Sequence, residues 1–354
     1  MSADSQSTVA GSQWHMPPEW APQRRIWMAW PGGGYVLGDD ERKAEETRRA
    51  WSAVANLVSE YQEVVMAVDP DAMNAARRHL SSAVAIVPEP LNDAWMRDIG
   101  PTFVTGDDGR LGAVAWTFNG WGGQDWAQWD KDEKIGVAVA RRAGAEVVSS
   151  SIVNEGGAIQ VDAHGTVLAT LTVQLDPGRN PGATTDDIEQ EFERTLGTSK
   201  TVWLPRGLWR DAQPFATRGH VDMMAAFAPD GTLLVHDQPD AGHPDHVIMR
   251  ENRAILAEAT DARDRPFDIV TLPAPTILRD DEGFADFNYI NHLVINDAVI
   301  MPVFDDPMDE RAAAILAEHY PGREIRTVEA HAIFAQGGGV HCITQQEPLI
   351  DATV

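Results

Sequence analysis

The sequence predicts an α/β protein in which five units, each one helix with several short strands, close into a radial propeller. Three observations predict it. Five segments carry helical periodicity. Each is followed within a few residues by a short β-branched run. Further strand candidates flank turn chemistry at Asp107-Asp108-Gly109, Asp230-Gly231 and Asn296-Asp297, which makes hairpins. A doubly wound sheet is the alternative, but it needs strict strand–helix alternation and usually a glycine fingerprint, and the hairpins argue against it.

The helices are expected from about Asp40 to Glu60, Asp130 to Ala143, Thr185 to Leu196, His246 to Thr260 and Met308 to His319. The runs that follow them are Val64 to Val68, Glu146 to Val148, Thr201 to Leu204, Ile269 to Leu272 and Ile325 to Val328. Additional strands are expected at Thr102 to Val104, Ala113 to Trp116, Val167 to Thr170, Thr232 to Val235 and His292 to Ile295. The later helices start roughly 60 residues apart, while the first interval is nearer 90 and holds an extra segment around Trp95. No residue motif recurs between units, so the repeat is one of pattern. No linker rich in Pro, Gly or Ser divides the chain, so residues 16–354 read as one domain behind a short disordered arm or leader at 1–15.

Of 354 residues, 43% are hydrophobic and 23% charged, a globular composition with ample material for a core. No apolar run approaches the ~18 residues that span a bilayer, which argues against a membrane partner. Asp and Glu outnumber Lys and Arg by 54 to 28, giving a net charge of −26 that repels nucleic acid. This balance agrees with a small cationic substrate without demonstrating one. The single cysteine, Cys342, excludes an internal disulfide and paired-cysteine metal sites, and points to a reducing cytoplasm. Phosphate-cradling glycine motifs and zinc-type histidine pairs are absent from the sequence.

Cys342 follows Gly337-Gly338-Gly339 and is surrounded by histidine, threonine and glutamines. A lone cysteine is usually inert filler, but this setting does not describe a core plug and favours a nucleophile. His341 would point to the opposite face of a strand from Cys342, so it is expected to be a packed or solvated histidine. The better acid–base is His220, which in a strand would share one face with Asp222. A hairpin edge with polar caps would explain that pair equally well. Glu155, ahead of Gly156-Gly157, reads as a turn residue when taken alone. Asp98, in Trp95-Met96-Arg97-Asp98, could belong to a surface Arg–Asp pair. Together Cys342, His220, Glu155, Asp98 and Asp222 supply one nucleophile, one acid–base and three carboxylates. That is more negative charge than peptide hydrolysis needs and suits a planar guanidinium, whose N–H donors two carboxylates can take in pairs.

These motifs resemble the agmatine deiminase family, within the guanidine-modifying enzymes that include arginine deiminases. The resemblance runs from Met16-Pro17-Pro18-Glu19-Trp20 through Asn92 to Asp98, Phe118-Asn119-Gly120-Trp121, Glu155-Gly156-Gly157, Trp203 to Gly207 and Gly219-His220-Val221-Asp222 to Cys342-Ile343-Thr344-Gln345-Gln346. It implies a five-module α/β propeller (pentein) with pseudo-fivefold symmetry. It also implies Cys342 as nucleophile, His220 as general acid–base and Glu155 as its orienting partner. Asp98 and Asp222 would be the guanidinium-binding carboxylates, with Trp95 and Trp121 lining the pocket. The implied reaction is hydrolysis of agmatine to N-carbamoylputrescine and ammonia, as in putrescine biosynthesis, through an amidino-cysteine intermediate. No metal or organic cofactor is required, and a homodimer is the assembly such enzymes often adopt.

One departure bears on the substrate. Where agmatine enzymes carry an amine-binding acid, this chain has Ala216, and Arg218 stands two residues on. Arg218 could face the substrate and make it a guanidino acid or free arginine, or could pair with an acidic neighbour. An amidinotransferase, which shares the same five residues, is a further alternative.

Overall fold

The computed structural model describes residues 13–38 and 40–350. Three of its longer helices begin where the chain supplies caps. The Asp40 side chain accepts from the backbone N–H groups of Arg42 and Lys43 ahead of the helix Glu41–Val58. Thr184 and Asp187 form a reciprocal capping box ahead of Thr185–Leu196, and Pro244 opens Pro244–Glu258. Gly144 and Gly197 close their helices at φ 71° and 70°, backbone angles that other residues adopt only at a cost. The helix Glu41–Val58 buries Thr47, Ala50, Trp51, Val54, Ala55 and Val58, the stripe of an amphipathic helix against a sheet.

The strands assemble into small sheets that repeat one connection. A strand pairs antiparallel with the next, which then crosses through a helix to a parallel partner. Thr102–Gly106 and Leu111–Thr117 pair antiparallel, and Leu111–Thr117 runs parallel to Glu146–Val153 after the helix Ile135–Ala143. Ile159–Val161, Thr166–Thr170 and Lys200–Leu204 repeat this around Thr185–Leu196. Ala225–Phe227, Thr232–Asp237 and Asp268–Pro273 repeat it around Pro244–Glu258. Leu293–Val294, Ala298–Val303 and Glu324–Glu329 repeat it around Asp309–His319. In the remaining four-stranded sheet the chain's last strand, Thr344–Pro348, pairs antiparallel with Gln23–Ala29, which is parallel to Glu63–Val68. Beginning and end of the chain are thereby joined, with Gln345 opposite Trp27. The parallel strand Glu63–Val68 is buried from Val64 to Val68, so both of its faces are covered.

The expected helices and strands are therefore present, with ends shifted by a few residues. Part of the expected arm is ordered: Trp14–His15 is a strand paired with Thr105 and Gly106, and Trp14 is buried. Residues 1–12 lie outside the described residues. Among the described residues no helix is long and apolar enough to cross a membrane.

Candidate active site

Each of the five larger sheets contributes to one place, and always from the segment that enters its first antiparallel strand. The short helix Met96–Ile99, carrying Asp98, precedes Thr102–Gly106. Glu155 and the single 3₁₀ turn Gly156–Ala158 precede Ile159–Val161. His220 caps the 3₁₀ turn Val221–Met223, which carries Asp222 and precedes Ala225–Phe227. Asn291 precedes Leu293–Val294, and Cys342 lies in the turn before Thr344–Pro348. Turns are needed here. A continuous strand would send alternate side chains to opposite faces, whereas these side chains all point inward.

His220 is 1% exposed and donates from Nε2 to Glu155 Oε2 at 3.1 Å. Glu155 in turn takes the buried Arg179 guanidinium at 2.9 and 3.1 Å, and Arg179 reaches Asp176 and the carbonyl of Thr217. His220 Nδ1 has no hydrogen-bond partner among the described residues and faces Asp98 Oδ1 at 3.8 Å. Burial works against a charged imidazole, but Asp98, Glu155 and Asp222 outweigh it and raise His220 to about 9. Asp98 accepts from the indole N–H of Trp121 at 2.9 Å and the backbone N–H of Gly157 at 3.2 Å. Burial nevertheless raises it to about 6, with Glu155 and Asp222 adding to the rise and His220 opposing it.

Gly157 defines the space these groups share. A β-carbon there would lie 2.6 Å from His220 Nδ1 and 3.0 Å from both Asp98 Oδ1 and Asp222 Oδ2. One imidazole nitrogen and two carboxylate oxygens therefore surround a single point that only glycine leaves open.

The sulfur lies beside it. Cys342 Sγ is 3.4 Å from Asp222 Oδ2 and 3.2 Å from the side-chain nitrogen of Asn291, whose oxygen accepts from the backbone N–H of His341 and Cys342. Burial pushes the thiol well above its ordinary value, and Asp222 and Asp98 push it further. Asp222, though equally buried, is held below the usual carboxylate range. His341 Nδ1 bonds it at 2.8 Å, and the His341, His220 and Arg97 charges outweigh desolvation. Two buried carboxylates thus differ in charge preference because one has a cationic partner in contact and the other has only neutral donors.

A pocket lined by Tyr35, Trp95, Trp121, Trp126, Phe215 and Gln336 reaches Asp98 and Cys342. Trp121 and Trp126 stack at 5.5 Å between centroids, giving an aromatic wall suited to a cation. Trp121 reaches its place through a left-handed backbone (φ 55°) among glycines, pinned where the Asn119 side chain accepts from Gly122. A wider neighbouring cleft shares Tyr35, Phe215, Ala216, Gln336 and Gly337, and adds Asp211, Glu282, Asp286 and Arg210. Two of those carboxylates, Glu282 at 2.9 Å and Asp286 at 3.7 Å, already face Arg210, as does Asp280 nearby.

The structure thus brings together Cys342, His220, Glu155, Asp98, Asp222, Trp95 and Trp121. Several expectations need correction. His220 caps a 3₁₀ turn that holds Asp222, and the two are not on a strand, because Gly219 at φ 119° redirects the chain just before them. His341 is in a turn, not on a strand's far face, and it bonds Asp222 directly. Arg97 is 1% exposed, so it is no surface partner of Asp98; it reaches Glu19 and the carbonyl of His341. Arg218 is exposed in a left-handed turn (φ 80°) and does not line the pocket. Sequence reasoning missed Glu19, Arg179 and Asn291. Asn291 was findable in principle, since it precedes its strand as Asp222 precedes Ala225. Arg179, in a turn of Pro, Gly and Asn, carried no signal.

Comparison with known proteins finds relatives over nearly the whole chain. The Porphyromonas-type peptidyl-arginine deiminase family matches residues 15–348. A putative agmatine deiminase of Streptomyces coelicolor is 52% identical over 94% of this chain and 98% of its own length. An agmatine deiminase of Pseudomonas syringae pv. syringae is 34% identical, over 97% of each chain. Among solved structures, an agmatine deiminase of Enterococcus faecalis superposes with a TM-score of 0.87 at 30% identity, covering 96% of this chain and 98% of the other.

Proposed function

We propose that this chain, which belongs to the agmatine deiminase family, is a hydrolase that converts agmatine to N-carbamoylputrescine and ammonia through a covalent adduct on Cys342. The observation that carries the reading is the convergence, around the open point at Gly157, of an imidazole nitrogen and two carboxylates beside the only thiol. Asp98 and Asp222 take the N–H donors of the guanidinium and hold its carbon against the sulfur. Around the thiol, the carboxylates Glu19, Glu155 and Asp222 face the cations Arg97, Arg179, His220 and His341, while Asp98 sits near its midpoint. A bound cation removes the penalty that Asp222 and Asp98 impose on a thiolate, so substrate binding itself activates the sulfur, whose proton passes to solvent.

The thiolate attacks the guanidinium carbon to give a tetrahedral adduct. His220, protonated and with Nδ1 free, gives its proton to the departing nitrogen, and ammonia leaves. A positively charged S-alkylisothiouronium remains on Cys342. Neutral His220 then takes a proton from water, whose oxygen attacks the same carbon; the sulfur departs as thiolate, the remaining proton on that oxygen passes to solvent, and the ureido product forms. Glu155, backed by Arg179, keeps the imidazole oriented and favours its charged form throughout.

The same reading takes residues 16–354 as one catalytic domain and the five sheets as modules of a propeller with pseudo-fivefold symmetry. The five site segments, one from the same position of each sheet, support it. It takes the enzyme as a cytoplasmic homodimer acting on a small cation, with neither nucleic acid nor membrane as partner. An exposed Arg218 that does not line the pocket, and an aromatic wall suited to a cation, support agmatine over a guanidino acid. Ammonia release from agmatine, arginine and 4-guanidinobutyrate, without any amine acceptor, tests this. Agmatine should be strongly preferred; preference for 4-guanidinobutyrate, or dependence on an acceptor amine, overturns it.

A further inference from the structure

A buried chain of charges runs away from the sulfur through Asp222. Asp222 Oδ2 lies 3.4 Å from Cys342 Sγ and 2.8 Å from His341 Nδ1. The other nitrogen of that ring, Nε2, is 2.6 Å from Glu19 Oε1. Arg97 closes the far end, with one nitrogen 3.4 Å from the same Glu19 oxygen and another 3.4 Å from the carbonyl of His341. His341 is 2% exposed, Asp222 1% and Glu19 9%, so water does not screen this chain. An imidazole whose two nitrogens each meet a carboxylate can satisfy both only by carrying two protons.

We propose that His341, held as an imidazolium between Glu19 and Asp222, is a positioning residue that fixes the charge and orientation of Asp222 and so sets the acid limit of catalysis. This inference rests on the reading of Asp222 as a guanidinium-binding carboxylate. With Oδ2 tied to His341, the Asp222 carboxylate cannot rotate freely, and its Oδ1, buried and without a protein partner among the described residues, is kept for another donor. The groups facing Asp222 are the cations His341, His220 and Arg97, the sulfur of Cys342, and the carboxylates Asp98 and Asp211. Those facing His341 are Glu19 and Asp222, which favour its charge, Arg97, which opposes it, and His292, which burial lowers to about 4. Both carboxylates in the chain are held low, Glu19 to about 2, in spite of burial, and His341 is raised in spite of burial and Arg97. The three shifts agree with one arrangement of charges.

The sign follows directly. Asp222 must be ionised to bind a guanidinium, and the His341 charge keeps it ionised as pH falls. Removing that charge raises Asp222, so activity is lost at a higher pH on the acid side while the alkaline side is little changed. His341→Gln retains an amide donor without a charge. It should cut kcat/KM for agmatine by roughly ten- to a hundredfold at pH 6, with a much smaller deficit at pH 8, because a hydrogen bond to a charged group is at stake. A purely structural role would lower the melting temperature and reduce activity equally at all pH values; a deficit independent of pH overturns the proposal. Should His341→Gln not fold, histidine side-chain ¹⁵N NMR of the intact enzyme decides. In the wild type the ring bonded to Glu19 should stay doubly protonated at pH 7.5, and Glu19→Gln should lower the pH at which that ring alone titrates. A ring that is neutral at pH 7.5 in the wild type, or one unmoved by Glu19→Gln, overturns it. A wild type inactive on every guanidine would sink the functional reading itself, whereas an active wild type with an unshifted acid limb sinks only the role of His341.

Discussion

Gly157→Ala adds one methyl group at the point where His220, Asp98 and Asp222 converge. The new carbon would stand 2.6 Å from His220 Nδ1, and to reach ordinary contact at 3.4 Å the ring must retreat about 0.8 Å. It cannot retreat cheaply, because its other nitrogen is bonded to Glu155, which is locked to the buried Arg179. The same methyl presses on Asp98 and Asp222 at 3.0 Å and fills space the guanidinium needs. Overpacking of this kind costs roughly 1–3 kcal/mol in stability, a fall of a few degrees in Tm. A displacement near 1 Å of a reacting group costs about a hundredfold in rate. Gly157 has no left-handed backbone requirement and its N–H to Asp98 survives the change, so loss of activity reports the methyl alone. Ammonia release by the variant, beside Gly33→Ala, where a β-carbon meets nothing within 4 Å, is the assay. Kinetics within twofold of wild type for Gly157→Ala would refute the convergence of His220, Asp98 and Asp222 on that point.

Three other outcomes are expected. Trp121→Phe keeps the aromatic wall but removes the indole donor 2.9 Å from Asp98, and should raise KM for agmatine about tenfold; an unchanged KM would separate Asp98 from substrate binding. Glu155→Gln should lower His220 from about 9 by roughly one unit, because a carboxylate is replaced by a neutral amide. The protonated imidazole is the working form, so the alkaline limb of kcat should move down in pH, and an unmoved limb removes Glu155 from this role. In the free enzyme the thiol is held above its ordinary value, so iodoacetamide should inactivate Cys342 slowly at neutral pH and faster only in strongly alkaline solution. A rate already at its plateau by pH 7 would contradict substrate-assisted activation.

Much of the fold was legible because the relevant signals are local. The stripe from Thr47 to Val58, the Thr184–Asp187 cap and the β-branched parallel strands each announce one element within a few residues of sequence. The five site residues proposed from composition and motif do converge. What could not be read was the backbone between them. The alternation His220-Val221-Asp222 looks like a strand, and only the positive φ of Gly219, imposed by close packing against Gly207, turns it into a cap and a 3₁₀ turn. Long-range partners were equally hidden. Glu19 and His341 are far apart in the chain, and their 2.6 Å contact exists because the last strand pairs with the strand Gln23–Ala29 near the start. Arg97 looked like a surface charge because its buried partners come from both chain ends.

Mass spectrometry of the enzyme quenched during turnover of agmatine tests the covalent chemistry most directly. The account predicts that the peptide holding Cys342 gains the mass of agmatine less ammonia, and that Cys342→Ala shows neither the adduct nor ammonia release. Sustained ammonia production by Cys342→Ala, or an adduct on any residue other than Cys342, would contradict it.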